Sequence, residues 1–209
     1  EEVTVTATPA EGYEFFEWMP DGTMDNPYTF TVTKNTTLKG LFSKLPWDFE
    51  EDGILYSKKT DEEVYVFNKS YKGNMVIPET VTHNGKTYRV TGLDPYAFVN
   101  CGDLTSVMLP NGIKTIGFKA FFNCVNLTKV IMGAGVEVVG ENAFENCPKL
   151  EDVYFGGFYP PSFEGTSAVF DDNVEIHIPL ISAEIGYKWA INRDQVGNIV
   201  NDFNVYRLL

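Results

Sequence analysis

Three cysteines and two histidines are the residues of this chain with the widest chemical reach. A thiol beside an imidazole makes a nucleophile, and thiols and imidazoles at short spacings bind zinc. Cys101, Cys124 and Cys147 are each 23 residues apart, and neither His83 nor His177 stands close to one of them in the chain. No Cys-x-x-Cys, His-Glu-x-x-His, Gly-x-Ser-x-Gly or phosphate-loop pattern occurs. Acidic residues gather at Glu50-Glu51-Asp52, Asp61-Glu62-Glu63 and Asp171-Asp172-Asn173. Calcium takes six or more oxygen ligands, and none of these runs has EF-hand spacing. They read as solvated loops. The sequence therefore assigns no catalytic residue, no metal ligand and no cofactor.

The cysteine spacing belongs to a longer pattern. The same shift of 23 residues places Ala97-Phe98 on Ala120-Phe121 and Ala143-Phe144, Leu104 on Leu127 and Leu150, and Val107 on Val130, Val153 and Ile176. Leu109, Met132, Phe155 and Ile178 align likewise, as do Leu93, Ile116 and Val139. A period in the twenties with aliphatic positions in an L-x-x-V-x-L frame is the mark of a solenoid. One unit cannot bury its own apolar face, so like residues stack on like residues one coil away. Segments 104–109, 127–132, 150–155 and 174–178 alternate like strands and predict a parallel sheet, with coils ~4.8 Å apart. The Ala-Phe-x-x-Cys stretches predict a short helical turn on the opposite wall. Each cysteine fills one equivalent inward slot per coil. Their Cβ vectors run parallel, so no bridge forms and the thiols act as small buried hydrophobes. Thiols in unlike surroundings, or one facing an imidazole in an open cleft, would overturn this reading.

The stretches from Ile116-Gly117 through Ala120-Phe121 and Cys124 to Leu127 and Val130, and from Val139-Gly140 through Ala143-Phe144 and Cys147 to Leu150, closely resemble the BspA-type leucine-rich repeats. Their pattern is I-G-x-x-A-F-x-x-C-x-x-L-x-x-V. The resemblance covers roughly residues 74 to 192. It implies a mainly β leucine-rich-repeat solenoid from a bacterial surface protein of the kind common in Bacteroidetes. It also implies display at the cell surface or outside the cell, after removal of a leader this sequence does not contain, and in some members adhesion to host proteins or other cells. No enzyme activity is implied. The first unit has Leu93-Asp94 in place of Ile-Gly. The last replaces the cysteine with Ser167-Ala168-Val169-Phe170, then runs Val174-Glu175-Ile176-His177-Ile178-Pro179 into Tyr187-Lys188-Trp189, which looks like a closing cap.

Residues 1–44 differ. The segments Ala7 to Trp18, Asn26-Pro27-Tyr28-Thr29-Phe30-Thr31-Val32 and Thr36 to Phe42 resemble the divergent internalin-B-type B-repeat, a small β module of long bacterial surface proteins. Between the two lies a cap region, 45–92, merging into a solenoid expected over 74–209. There Ile54–Ser57 and Glu63–Phe67 read as paired strands. Thr80–His83 and Lys86–Val90 flank Asn84-Gly85, a strong type I′ hairpin signal. Pro78 and Pro110 are 32 residues apart, nine more than the repeat, so the hairpin is an insertion in the first coil.

The formal net charge of −13 argues against nucleic-acid and anionic-membrane partners. No apolar run is long enough to span a bilayer. With the inward strand positions assigned, Val76, Met108, Ile131, Tyr154 and His177 form an outward apolar-to-aromatic stripe, flanked by Ser106, Lys129 and Asp152. Such a stripe fits a host or microbial surface protein as partner. It also fits residues that merely cover one another along the ladder. The loop Phe158-Tyr159-Pro160-Pro161-Ser162-Phe163 is a second candidate, able to grip a sugar ring or peptide, or to pack beneath the cap. Three roles remain open: protein-binding adhesin, glycan-binding module, and spacer in a longer surface protein.

Overall fold

A computed structural model describes residues 1–165, 169–170 and 174–179, together with the backbone of 198–203. The chain divides into two compact units, Glu1–Phe49 and Glu50–Leu209.

The first unit holds two antiparallel pairs. β1 (Glu2–Val5) pairs with β3 (Tyr28–Thr31), and β2 (Tyr13–Met19) pairs with β4 (Lys39–Lys44). A bulge between Phe15 and Glu17 shifts the β2 register, and Phe16 within it is left half exposed. Trp18 is the buried centre of the unit. Its indole donates to the Asp25 carbonyl at 3.1 Å, and Phe15 lies 5.3 Å away, ring to ring.

The second unit is the solenoid. Each coil crosses three walls. One wall is a parallel sheet of β8 (Gly73–Val76), β11 (Leu104–Met108), β13 (Lys129–Met132), β15 (Asp152–Phe155), β17 (Glu175–Pro179) and β18 (Asn198–Phe203), neighbours in that order. Val107, Val130, Val153 and Ile176 lie in register across it. The alternation read from the sequence is present: Val130 and Met132 are buried, while Lys129 and Ile131 are half-buried on the other face.

A second parallel wall accounts for the aligned aliphatics at 93, 116 and 139. It contains β10 (Lys86–Leu93), β12 (Thr115–Ile116), β14 (Val138–Val139) and β16 (Ser162–Phe163). At its amino-terminal end β7 (Glu63–Val66) joins β10 in parallel and pairs antiparallel with β6 (Ile54–Lys58), and β5 (Phe49–Glu51) completes that edge. β9 (Thr80–His83) folds back on β10 through Asn84 and Gly85, both with positive φ (50° and 78°), as a type I′ turn requires. Met108 lies opposite Val76 in the ladder, so the first coil does carry the nine-residue insertion.

The third wall is not helical, and no helix occurs among the described residues. The Ala-Phe-x-x-Cys segments are successive tight turns, closed by bonds such as Ala120 N–H to the Gly117 carbonyl (3.2 Å) and Phe122 N–H to the Lys119 carbonyl (3.1 Å). Lys119, Asn123, Asn142 and Asn146 have φ between 50° and 61°, which breaks helical continuation. The turns free alternate N–H groups to bond the next coil. Lys119, Phe121 and Asn123 donate to the carbonyls of Glu141, Ala143 and Glu145 at 3.1, 2.8 and 3.0 Å. Backbone hydrogen bonds thus run between coils on all three walls.

Side chains follow the same repeat. The rings of Phe98, Phe121, Phe144 and Phe170 stack at 4.8, 5.0 and 4.9 Å, and Tyr71 begins the column 4.8 Å from Phe98. The three thiols form no disulfide and are all buried. Cys124 donates to the Phe98 carbonyl at 3.0 Å and Cys147 to the Phe121 carbonyl at 3.1 Å, one coil back in each case, while Cys101 donates to the Lys69 carbonyl at 3.3 Å. The thiols of Cys101 and Cys147, with burial, push the Cys124 thiol far above its ordinary value, and the same contact lowers Cys101. Gly117 and Gly140 mark a close backbone approach between coils: a Cβ at Gly140 would stand 2.6 Å from the Phe118 nitrogen. The first coil has no coil of that kind behind it. There Asp94 is buried, accepts from Ser57 Oγ, and meets Lys59 Nζ at 2.5 Å.

Phe121→Ala removes the middle ring of the column and is expected to cost ~3–5 kcal/mol in denaturant unfolding. Gly140→Ala, which forces two backbones apart, should cost on the order of 1–3 kcal/mol.

Candidate functional site

Parallel pairing sets Val76, Met108, Ile131, Tyr154 and His177 in one register across the first wall. Their exposure falls steadily along the column. Val76 is 63% exposed and Met108 38%, Ile131 and Tyr154 are half-buried, and His177 is 6% exposed. His177 therefore departs from its expected open position on a final strand. β18 continues the sheet beyond it, with Val200 opposite His177. Tyr154 stacks on the imidazole with ring centroids 4.1 Å apart and planes 6° apart. His177 Nε2 meets Asp152 Oδ1 at 2.7 Å and Glu175 Oε2 at 3.8 Å.

The flanking column of Ser106, Lys129 and Asp152 is likewise in register, continued by Glu175. Lys129 Nζ lies 4.5 Å from the centre of the Tyr154 ring, and Ser106 Oγ donates to Asn74 Oδ1 at 2.9 Å. Polar groups thus border the apolar column on one side.

On its other side lies a cavity of about 510 Å³, which the sequence reading did not find. It opens where β8, β11 and β13 end. Val76, Met108 and Ile131 line it together with the buried Ile77, Leu109 and Met132 and with Pro78, Pro110, Gly133, Ala134 and Gly156, and Glu79 and Asn111 are the polar residues among its lining. Its size suits a bound side-chain cluster or small ligand. A signal was available: Pro110, Gly133 and Gly156 recur at the repeat spacing, just past each strand.

The aromatic loop splits. Phe158 and Tyr159 are 48% and 60% exposed beside a second cavity of about 410 Å³, lined also by Val136, Glu137 and Pro160. Phe163 is not a loop contact. It is buried on β16, one rung beyond Leu93, Ile116 and Val139, with its ring edge-on to Phe155 and Phe170 at 6.4 Å. It follows Val139 by 24 residues, one more than the repeat, which hid the equivalence.

Four residues of the acidic runs at 50–52 and 61–63 face basic side chains. Lys69 Nζ meets Glu50 and His83 Nδ1 meets Glu51, both at 2.5 Å, and Arg89 meets Glu63 at 3.0 Å and Glu62 at 3.5 Å. The run Asp171-Asp172-Asn173, the pair Ser167-Ala168 and the Tyr187-Lys188-Trp189 cap lie outside the described residues.

Parallel walls, a ring column and 23-residue coils define the class as a leucine-rich-repeat solenoid. Residues 91–159 match the model of the BspA type leucine rich repeat region, in six copies, and residues 1–46 match the divergent InlB B-repeat domain. Residues 91–159 are thus BspA-type leucine-rich repeats, and an InlB-type B-repeat precedes them at residues 1–46. Among solved structures it is similar to a leucine-rich repeat protein from Bacteroides capillosus, at 20% identity and a TM-score of 0.52, over 62% of this chain and 96% of that one. It is also similar to a leucine-rich repeat protein from Bacteroides ovatus (22% identity, TM-score 0.46, 64% of this chain) and to one from T. pallidum (21%, 0.48, 61% of this chain and 69% of that one). The chain spans 38% of the Bacteroides ovatus protein. A search of curated proteins finds no match. At such identities the likeness is one of fold.

The stack of Tyr154 on His177 has a direct signature. The imidazole C–H protons should resonate upfield of their ordinary positions, and Tyr154→Leu should return them downfield in the proton–carbon spectrum.

Proposed function

We propose that this chain is a non-catalytic binding module of the cell surface or secreted space, which captures a partner protein on the first wall of its solenoid. The observation that carries this reading is the union of the stripe Val76–Met108–Ile131, exposed at Val76 and Met108, with the apolar cavity beside it. An exposed apolar strip that deepens into a pocket, with polar groups at its border, has the form of a protein-recognition core. The two modules, both of types found in bacterial surface proteins, support the location. No helix among the described residues is long and apolar enough to cross a membrane. In this reading the partner is a host or microbial surface protein that inserts apolar side chains between the stripe and Pro78 and Pro110.

Val76→Asp combined with Met108→Asp puts charge where apolar contact is expected while leaving the buried face intact. In pull-downs from host and microbial surface extracts, the double variant should lose at least about tenfold of its capture, as burial of one unpaired charge in a binding core costs 1.4 kcal/mol or more. Undiminished capture would remove the stripe as the site.

A glycan reading rests on a separate observation, the exposed Phe158 and Tyr159 rings beside the second cavity. Aromatic faces stack on sugar rings. If a glycan is the ligand, Tyr159→Ala should abolish glycan-array binding and the stripe variant should leave it unchanged. An array without hits would end this reading.

A further inference from the structure

At the far end of the same wall, away from the apolar cavity, Asp152, Glu175 and His177 bring three metal-binding side chains together. Asp152 and Glu175 hold the same register position on adjacent parallel strands, β15 and β17, and His177 stands two residues beyond Glu175, on the same face. One ligand atom from each lies within 4.8 Å of the other two. The separations from His177 Nε2 are 2.7 Å to Asp152 Oδ1 and 3.8 Å to Glu175 Oε2. Ligands of a tetrahedral ion with bonds of about 2.0–2.1 Å stand about 3.3 Å apart. The two separations bracket that value, and the third lies within 4.8 Å.

The imidazole is already placed for such a role. It is 94% buried and stacked on Tyr154, while Nε2 faces the carboxylates. The carboxylates are more open: the Glu175 side chain is 60% exposed and the Asp152 side chain 36%. An ion can therefore approach from solvent onto a buried nitrogen flanked by two more open carboxylates. The opposing charge is Lys129, in register with Asp152, whose ammonium lies over the Tyr154 ring. The chain as a whole, at −13, favours a cation.

We propose that Asp152, Glu175 and His177 form a divalent metal site, and that zinc is the ion its donors fit. One nitrogen and two carboxylate oxygens suit a borderline ion better than calcium, which takes six to eight oxygens. Three protein ligands leave a fourth position for water or for a donor from a bound partner. The site lies at the opposite end of the column from Val76 and Met108, and its test needs no partner protein.

Titrating the whole chain with zinc chloride by calorimetry, in buffer stripped of chelators, should show saturable one-to-one binding. His177→Gln, Asp152→Asn and Glu175→Gln should each weaken it by roughly tenfold or more, a size already seen when only supporting groups of a metal site are removed. Zinc should also shift the His177 imidazole nitrogens and leave those of His83 in place. Glu175→Gln alters an exposed side chain, so it remains decisive even if His177→Gln unfolds the end of the solenoid. The Val76→Asp, Met108→Asp variant should keep its zinc. Absence of saturable binding, or binding that survives Glu175→Gln, would overturn the site. So would calcium binding as tightly as zinc with no loss in His177→Gln, since the imidazole would then be idle.

Discussion

Aromatic rings in this solenoid sit at the spacing of hydrogen-bonded strands. Phe98, Phe121, Phe144 and Phe170 face one another at 4.8 to 5.0 Å, the distance at which parallel backbones exchange hydrogen bonds. Ring stacking inside and peptide bonding on the walls are therefore satisfied by one translation. A coil that gained or lost a residue would break both unless a turn absorbed it. Among the described residues, extra length is absorbed before Phe170, which follows Phe144 by 26 residues, and at two further places. One is the hairpin between β8 and β10, and the other is the approach to β16, where the added residue still leaves Phe163 on its rung. The close approach at Gly117 and Gly140 follows from the same constraint, because turns that donate hydrogen bonds to the next coil leave no room there for a Cβ.

With the interior committed to this translation, the outward positions are free to vary from coil to coil. The first wall shows a gradient as a result. Its amino-terminal rungs are bare and apolar at Val76 and Met108, and its carboxy-terminal rungs close over with Tyr154, His177 and a bordering pair of carboxylates. One sheet face thus offers an apolar surface at one end and a charged, chelating cluster at the other.

Much of this was legible in the chain. The repeat, its inward residues, the kinship of the three thiols, the Asn-Gly hairpin and the outward column all follow from spacing. Spacing reports which residues are equivalent, and equivalence under a translation is what a solenoid stacks. Three features were harder to read. The helical expectation for Ala-Phe-x-x-Cys failed because left-handed Asn and Lys residues turn the chain toward its neighbour coil, a preference visible only once the neighbour's carbonyls are present. Phe163 read as a loop aromatic because its rung is one residue late. The second parallel wall had its signal in Leu93, Ile116 and Val139, but strands of two residues carry no alternation of their own.

The amino-acid sequence by itself determined the period, the core and the face each strand residue occupies, since these are properties of order along the chain. Only the tertiary structure decided what the outward residues mean. Val76 is open, while His177, equivalent to it by register, is buried under its neighbour's ring. The apolar cavity forms between strand ends of successive coils, and Asp152 reaches His177 from a strand 23 residues earlier. Exposure and cavity shape depend on side chains from different coils meeting in space, and no single repeat contains that information.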